Sequence, residues 1–391
     1  MAVRVALALV TLAFGAAVGG ALAAGDRKAY LRDFDFIDET VRSRAAAIES
    51  KKVDWKRHAA RLRKQFAECT SDEEHLRNCM ELIAGLRDSH SDVTRVHVAD
   101  VDLPGKFDGL YGAALDFAWD DGKFVLRSVK EGHAQAGQLA EGSVLVGVGG
   151  EPAWLAFARD RARIERWFGI SSLHSLYGSL SNRLLPFGDA QQLELTFLEP
   201  GGDVSAVTVA RWGPGGKAHY PFDVEVPEGI EHADGAVSTT LKTKWSPKVG
   251  YLRITGGMNR ETCDAFHAAL DALAGMEALV LDCRGMGGGG DASAWEMAGR
   301  FFPDGVDNGR NGRIEASGAA QFDGPVVLLQ NETMVSSAET FAWAMTETDR
   351  AVSVGRPTGG WGIIPNVVSC PSGMLDLRIG VNDRPTPIRG V

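Results

Sequence analysis

From Val249 onward, short and almost wholly apolar segments alternate with helical ones, and this alternation restricts the fold more than any other feature of the chain. The strand-like segments run Val249 to Thr255, Ala278 to Cys283, Pro325 to Gln330 and Ala351 to Gly355. Helical spacing lies between them, from about Arg260 to Gly275, from the glycine run to Phe302, and from Ser336 onward. Strands without a polar face have to be covered on both sides. The pattern therefore predicts an α/β layer structure around a buried sheet.

The 391 residues exceed what one core usually holds, so a multidomain chain is expected. Residues 27 to 87 read as helical, with Tyr30, Phe34, Ile37 and Val41, then Trp55, Ala59, Leu62 and Phe66, then Leu76, Met80, Ile83 and Leu86 on apolar faces. Thr70 to Glu74 offers a cap with acids in the first turn for the third helix. From about Leu103 the texture becomes short strands and glycine turns. Leu115 to Trp119 and Phe124 to Val129 flank Asp120-Asp121-Gly122, a hairpin signal. A polar helical insertion, about Trp154 to Ser181, precedes two further strands, and residues 212 to 248 read as a linker.

The first residues form a separate unit. Arg4 precedes an apolar stretch, Val5 to Leu22, that closes on Ala21-Leu22-Ala23 and meets Gly25-Asp26-Arg27-Lys28. This is the layout of a signal peptide, 1–23, and it predicts an exported protein, periplasmic or extracellular; an uncleaved membrane anchor is the alternative. The net charge of −10 and the absence of lysine or arginine runs exclude a nucleic-acid surface. Among the five cysteines there is no C-x-x-C pair, which argues against structural zinc. In an oxidising compartment Cys69 and Cys79 have the spacing to pair, while Cys263, Cys283 and Cys370 read as buried thiols. No metal or cofactor is called for, since H-E-x-x-H and clusters of ligand spacing are missing from the sequence.

Two strand-to-helix junctions carry the candidate chemistry. In Asp282-Cys283-Arg284-Gly285-Met286-Gly287-Gly288-Gly289-Gly290, four successive glycines let main-chain N–H groups approach a ligand. An oxyanion hole fits better than a phosphate cradle, and a plain structural turn is equally compatible. In Met334-Val335-Ser336-Ser337-Ala338-Glu339, Ser336 and Glu339 have capping-box spacing. A serine there is also where a helix dipole would support a nucleophile. The base a serine needs is offered by His90, in Leu86-Arg87-Asp88-Ser89-His90.

Taken together and in order, these segments resemble peptidase family S41, the carboxyl-terminal processing and tricorn core proteases. The matching stretches are L-x-D-x-H at Leu86 to His90, G-Y-L-R-I at Gly250 to Ile254, and D-x-R-x-x-G-G-G at Asp282 to Gly289. S-x-x-E at Ser336 to Glu339 and V-G-x-x-T-x-G at Val354 to Gly360 complete the set. The stretch from Glu131 to Gly150 resembles the carboxylate-binding loop of a PDZ domain. The resemblance implies a helical domain over 24–97, a PDZ-like domain over 98–212 and a crotonase or ClpP-like catalytic domain over 213–391. It also implies cleavage of a polypeptide or peptide substrate. Ser336 would attack, and the N–H of Gly287 or Gly288 with that of Ser337 would hold the oxyanion.

The processing proteases place a lysine base after the last glycine of V-G-x-x-T-x-G, where this chain has Trp361. That leaves the tricorn-like arrangement, in which Ser89-His90 supplies the base and its neighbour. The glutamate expected near the C-terminus does not occur in Arg384 to Val391. Two readings follow: a serine endopeptidase using Ser336, His90 and Ser89, and a catalytically impaired scaffold that binds a peptide or apolar ligand. A homo-oligomer is compatible with either.

Overall fold

The computed structural model describes residues 26–113, 115–129, 138–181, 184–211, 226–228, 230, 235–244, 246, 248–307 and 313–382. The leader Met1 to Ala24, the segment Glu131 to Gly137, most of the expected linker and the tail Arg384 to Val391 fall outside these residues. The described residues form a mixed α/β architecture with several sheets and, among them, three hydrophobic cores.

Strand Val249–Met258 is buried continuously from Gly250 to Ile254, as an interior strand must be. It pairs in parallel with Ala278–Asp282, which pairs in parallel with Val326–Gln330, and that strand with Ala351–Gly355. Gly235–Leu241 adds an antiparallel edge. That segment lies in the stretch expected as linker, but its Val237, Thr239 and Thr240 are strand formers once a partner is present. Helices Arg260–Asp271, Asp291–Ala298 and Ser337–Glu347 cover the sheet, and Phe266, Phe301 and Phe341 are fully buried in this core. Each such ring contributes roughly 1.5–3 kcal/mol by leaving water.

A second, antiparallel sheet runs in the order Leu115–Asp120, Lys123–Val129, Val144–Val148, Gln192–Leu198, Val204–Ala210. The hairpin expected at Asp121-Gly122 forms, with φ of 44° and 78° at those two residues. The polar insertion is a pair of helices, Ala153–Trp167 and Leu173–Ser181.

The third core joins the two ends of the chain. Helices Arg27–Arg44, Trp55–Glu68 and Asp72–Ala84 start on Asp26, Asp54 and Ser71 caps and turn Tyr30, Phe34, Leu62, Phe66 and Leu76 inward. Their companions are Ile363, Leu375, Leu377 and Ile379. Strand Leu375–Asn382 lies between Ile364–Ser369 and Asp92–Val96, antiparallel to both. The buried Asp33 fastens the contact, accepting from the Ser372 N–H and hydroxyl while His75 Nε2 sits 2.8 Å away. This pairing puts Ser89 and His90, just ahead of Asp92, beside the loop that follows Gly355.

All five cysteines are buried free thiols. Cys69 and Cys79 do not pair. The Cys69 thiol donates to the Ser71 carbonyl at 3.4 Å, and Cys79 packs against His75. Among the described residues no helix is long and apolar enough to cross a membrane.

Candidate active site

The Asp282–Gly289 turn is shaped by an ion pair within it. Arg284 donates to Asp282 through Nε at 2.8 Å and through a terminal nitrogen at 2.7 Å, and Tyr251 adds its hydroxyl. Burial alone would raise the Asp282 carboxyl, but Arg284 and Tyr251 outweigh it and hold the group below its ordinary value. Beyond this pair the glycines are not a helix start. Met286–Gly289 forms a short strand parallel to the end of Val249–Met258, and the next helix begins at Asp291. A Cβ on Gly289 would overlap the Met258 carbonyl, and one on Gly288 would lie 2.5 Å from the Ser336 Cβ. Glycine is needed at both positions because the Met258 backbone fills the place of a side chain at Gly289 and the Ser336 side chain fills it at Gly288.

Ser336 stands directly across from Gly288, at the N-cap of helix Ser337–Glu347 and in a capping-box arrangement with Glu339. Its backbone has φ 58° and ψ −125°, whereas an ordinary N-cap is extended with negative φ. A β-carbon there costs on the order of 1–3 kcal/mol. The cap does not depend on the hydroxyl alone: the Glu339 N–H reaches the Ser336 carbonyl at 2.8 Å, and the Glu339 carboxylate accepts the Ser336 N–H at 3.2 Å. Two further bonds lock this junction to the glycine turn. The Ser337 hydroxyl donates to the Gly289 carbonyl at 2.8 Å, and Gly285 N–H donates to the Thr333 hydroxyl at 3.0 Å.

Glu339 does more than close its own helix. It also accepts from the Thr358 hydroxyl at 2.6 Å, Gly360 N–H at 2.8 Å and Trp361 N–H at 2.6 Å. The carboxylate therefore clamps the loop after Gly355 against the Ser336 junction. Burial pushes its pKa from the ordinary 4.5 up to about 7, against the pull of those donors. The sequence showed Glu339 as a capping residue only; the loop contacts had no local signal.

His90 is buried, and its Nδ1 lies 2.7 Å from the Ile363 carbonyl. A carbonyl only accepts, so Nδ1 carries the proton and Nε2 is the free base nitrogen of the neutral ring. Burial lowers its pKa, although Asp88 works in the opposite direction. The orienting group is thus the Ile363 carbonyl rather than Ser89. The Ser89 hydroxyl accepts Ser171 N–H at 3.0 Å, and Ser171 returns a bond to Ser89 N–H at 2.9 Å. Asp88 braces the same turn by accepting from the Ser91 hydroxyl at 2.6 Å.

Trp361 connects the two halves. Its N–H is held by Glu339, its indole N–H donates to Ser175 at 3.0 Å, and its ring meets the His90 ring edge-on at 5.6 Å. Lys106 places its ammonium over the other end of this contact, 5.5 Å from the Trp361 ring centre. Burial lowers the Lys106 pKa to about 8. Ser336 faces Gly288, Ser337 is bonded to Gly289, and contacts through Glu339 and Trp361 lead from this junction to His90. Among the described residues no hydrogen bond joins His90 to Ser336.

One cluster of ligand-type residues was not evident from spacing. Cys263, His267 and Glu296 bring ligand atoms within 4.8 Å of one another. Arg300 donates to His267 Nδ1 at 3.0 Å, so Nε2 is the protonated nitrogen and faces Glu296 at 3.4 Å. That tautomer bonds the carboxylate and has no lone pair for a metal.

Residues 248–382 match the model of peptidase family S41. Carboxyl-terminal-processing peptidase 2, chloroplastic, of Arabidopsis thaliana is 31% identical over 138 residues, 33% of this chain and 27% of that protein. The carboxyl-terminal-processing protease of Synechocystis sp. is 28% identical over 134 residues, 32% of this chain and 31% of that protein. These alignments span less than a third of either relative. The crystal structure of mature CPAF has the same fold, with a TM-score of 0.59 over 91% of this chain and 88% of that one at 15% identity. Over the matched segment, which holds the glycine turn, Ser336 and Glu339, the chain is similar to peptidase family S41.

Proposed function

We propose that this protein is an exported serine endopeptidase in which Ser336 is the nucleophile and His90 the general base. The observation that carries the reading is the backbone of Ser336. A residue that only capped a helix would have no reason to hold φ 58° against the main chain of Gly288. In this reading His90 Nε2 takes the hydroxyl proton as Ser336 Oγ bonds to the substrate carbonyl carbon. The N–H of Gly287 or Gly288 and that of Ser337, which opens its helix without an intrahelical acceptor, stabilise the oxyanion. The imidazolium then protonates the leaving amine, and water releases the acyl group from Ser336. Ser89 braces the turn that carries His90 through its exchanged bonds with Ser171.

The antiparallel sheet over 98–212 is read as PDZ-like and the parallel sheet over 213–391 as crotonase or ClpP-like. The segment 24–97 is read as the helical domain that delivers His90, and 1–23 as a signal peptide. Purified protein should hydrolyse an unstructured polypeptide such as casein, and Ser336→Ala should abolish this; hydrolysis unchanged by the substitution would refute the assignment.

One observation favours a second reading, a scaffold that binds peptide without cleaving it. Trp361, at the sequence position where the processing proteases carry a lysine base, packs its ring edge-on against His90 at 5.6 Å. Michaelis complexes often tighten bonds that are long in the free enzyme, so the two readings separate by activity rather than by the unliganded geometry.

A further inference from the structure

A cavity of about 1010 Å³ lies between the start of helix Trp55–Glu68, the turn after Ala84 and the two inserted helices. Its walls carry five cationic side chains, Lys52, Arg57, Arg61, Arg87 and Arg161, against two carboxylates, Asp54 and Glu165. In a chain of net charge −10 this is a local reversal of sign. Arg61 pairs with Glu81 and Arg161 with Glu165. Lys52, Arg57 and Arg87 are exposed and form no ion pair among the described residues. Lys52 and Arg87 also hold left-handed backbone, φ 52° and 53°, a conformation that non-glycine residues seldom adopt. Between the cations the wall is apolar, with Trp119, Phe168 and Leu173.

The cleft shares a wall with the candidate site. Ser171 and Ser172 line it. Ser171 exchanges hydrogen bonds with Ser89, and the Ser172 hydroxyl donates to the Gly359 carbonyl at 2.7 Å. An occupant would therefore rest against serines that are hydrogen-bonded to the loops carrying His90 and Trp361.

We propose that this cleft binds an acidic, partly apolar polypeptide segment, with carboxylates against Lys52, Arg57 and Arg87 and apolar side chains against Trp119, Phe168 and Leu173. The inference goes beyond the peptidase reading and stands or falls by binding, whether or not cleavage occurs. It is tested on the full chain carrying Ser336→Ala, so that turnover does not enter. A fluorescent peptide of alternating glutamate and leucine is titrated by anisotropy beside its lysine–leucine counterpart, with inorganic phosphate as competitor.

The glutamate peptide should bind at least tenfold more tightly than the lysine peptide. Its affinity should fall with salt. The triple variant Lys52→Glu/Arg57→Glu/Arg87→Glu should weaken it by tenfold or more, and Lys64→Glu, outside the cleft, should leave it unchanged. Should the triple variant fail to fold, Arg87→Gln serves in its place, with an expected loss of about threefold. Equal binding of both peptides would overturn the proposal. So would unchanged affinity in the folded charge variants, or displacement by phosphate with the potency of a phosphate site.

Discussion

The two strand-to-helix junctions that meet at Gly288 and Ser336 solve opposite problems. At Gly287 to Gly289 the backbone itself is pressed against Met258 and Ser336, and glycine relieves the contact by having no side chain. At Ser336 the backbone adopts a left-handed conformation that glycine would take at no cost, yet a serine stands there. One junction gives up side chains to gain geometry. The other accepts strain to keep a hydroxyl. The difference argues that the hydroxyl is used, and it separates this junction from an ordinary capped helix such as Asp72–Ala84, whose Ser71 has φ −144°.

The sharpest way to break the comparison is at the glycine. Gly288→Ala puts a methyl 2.5 Å from the Ser336 Cβ, with Val335 backbone also in contact. Peptide hydrolysis should fall by at least a hundredfold in steady-state assays, as for loss of an oxyanion donor, while the protein stays folded by circular dichroism.

Glu339 comes next, because it fastens the Trp361 loop to the Ser336 junction. Glu339→Ala leaves a buried set of N–H donors without an acceptor and should cost about 2–4 kcal/mol in urea unfolding. Its ionisation adds a sign. The folded pKa of about 7 lies above the ordinary 4.5, so this contribution is present in full below pH 4.5 and is lost as pH rises through 7. The unfolding free energy of wild type relative to Glu339→Ala should decline over that interval.

The smallest effect sharpens the strain argument. Ser336→Gly should be about 1 kcal/mol more stable than Ser336→Ala, since only glycine relaxes at φ 58°. Equal stability of the two variants would remove the strain.

The parallel sheet was legible because its strands are apolar on both faces, and the glycine turn because its composition is extreme. What the sequence did not reveal lies at long separation. Asp92–Val96 pairs with Leu375–Asn382 across most of the chain, and neither segment has a periodicity that names its partner. That pairing brings Ile363 to His90, so the group that sets the imidazole tautomer was hidden, and the neighbouring Ser89 looked like the natural candidate. Glu339 was hidden differently: its capping role was visible and explained it fully, although its larger role is the clamp on Thr358, Gly360 and Trp361.

The most direct measurement of the central claim is the reaction of the intact protein with a fluorophosphonate probe, followed across pH and mapped by mass spectrometry. A single adduct on Ser336 is expected, absent in His90→Ala. Its acid limb should lie below the ordinary imidazole range, because burial holds His90 neutral into weak acid. No adduct on Ser336, or labelling indifferent to His90→Ala, would contradict a Ser336–His90 mechanism.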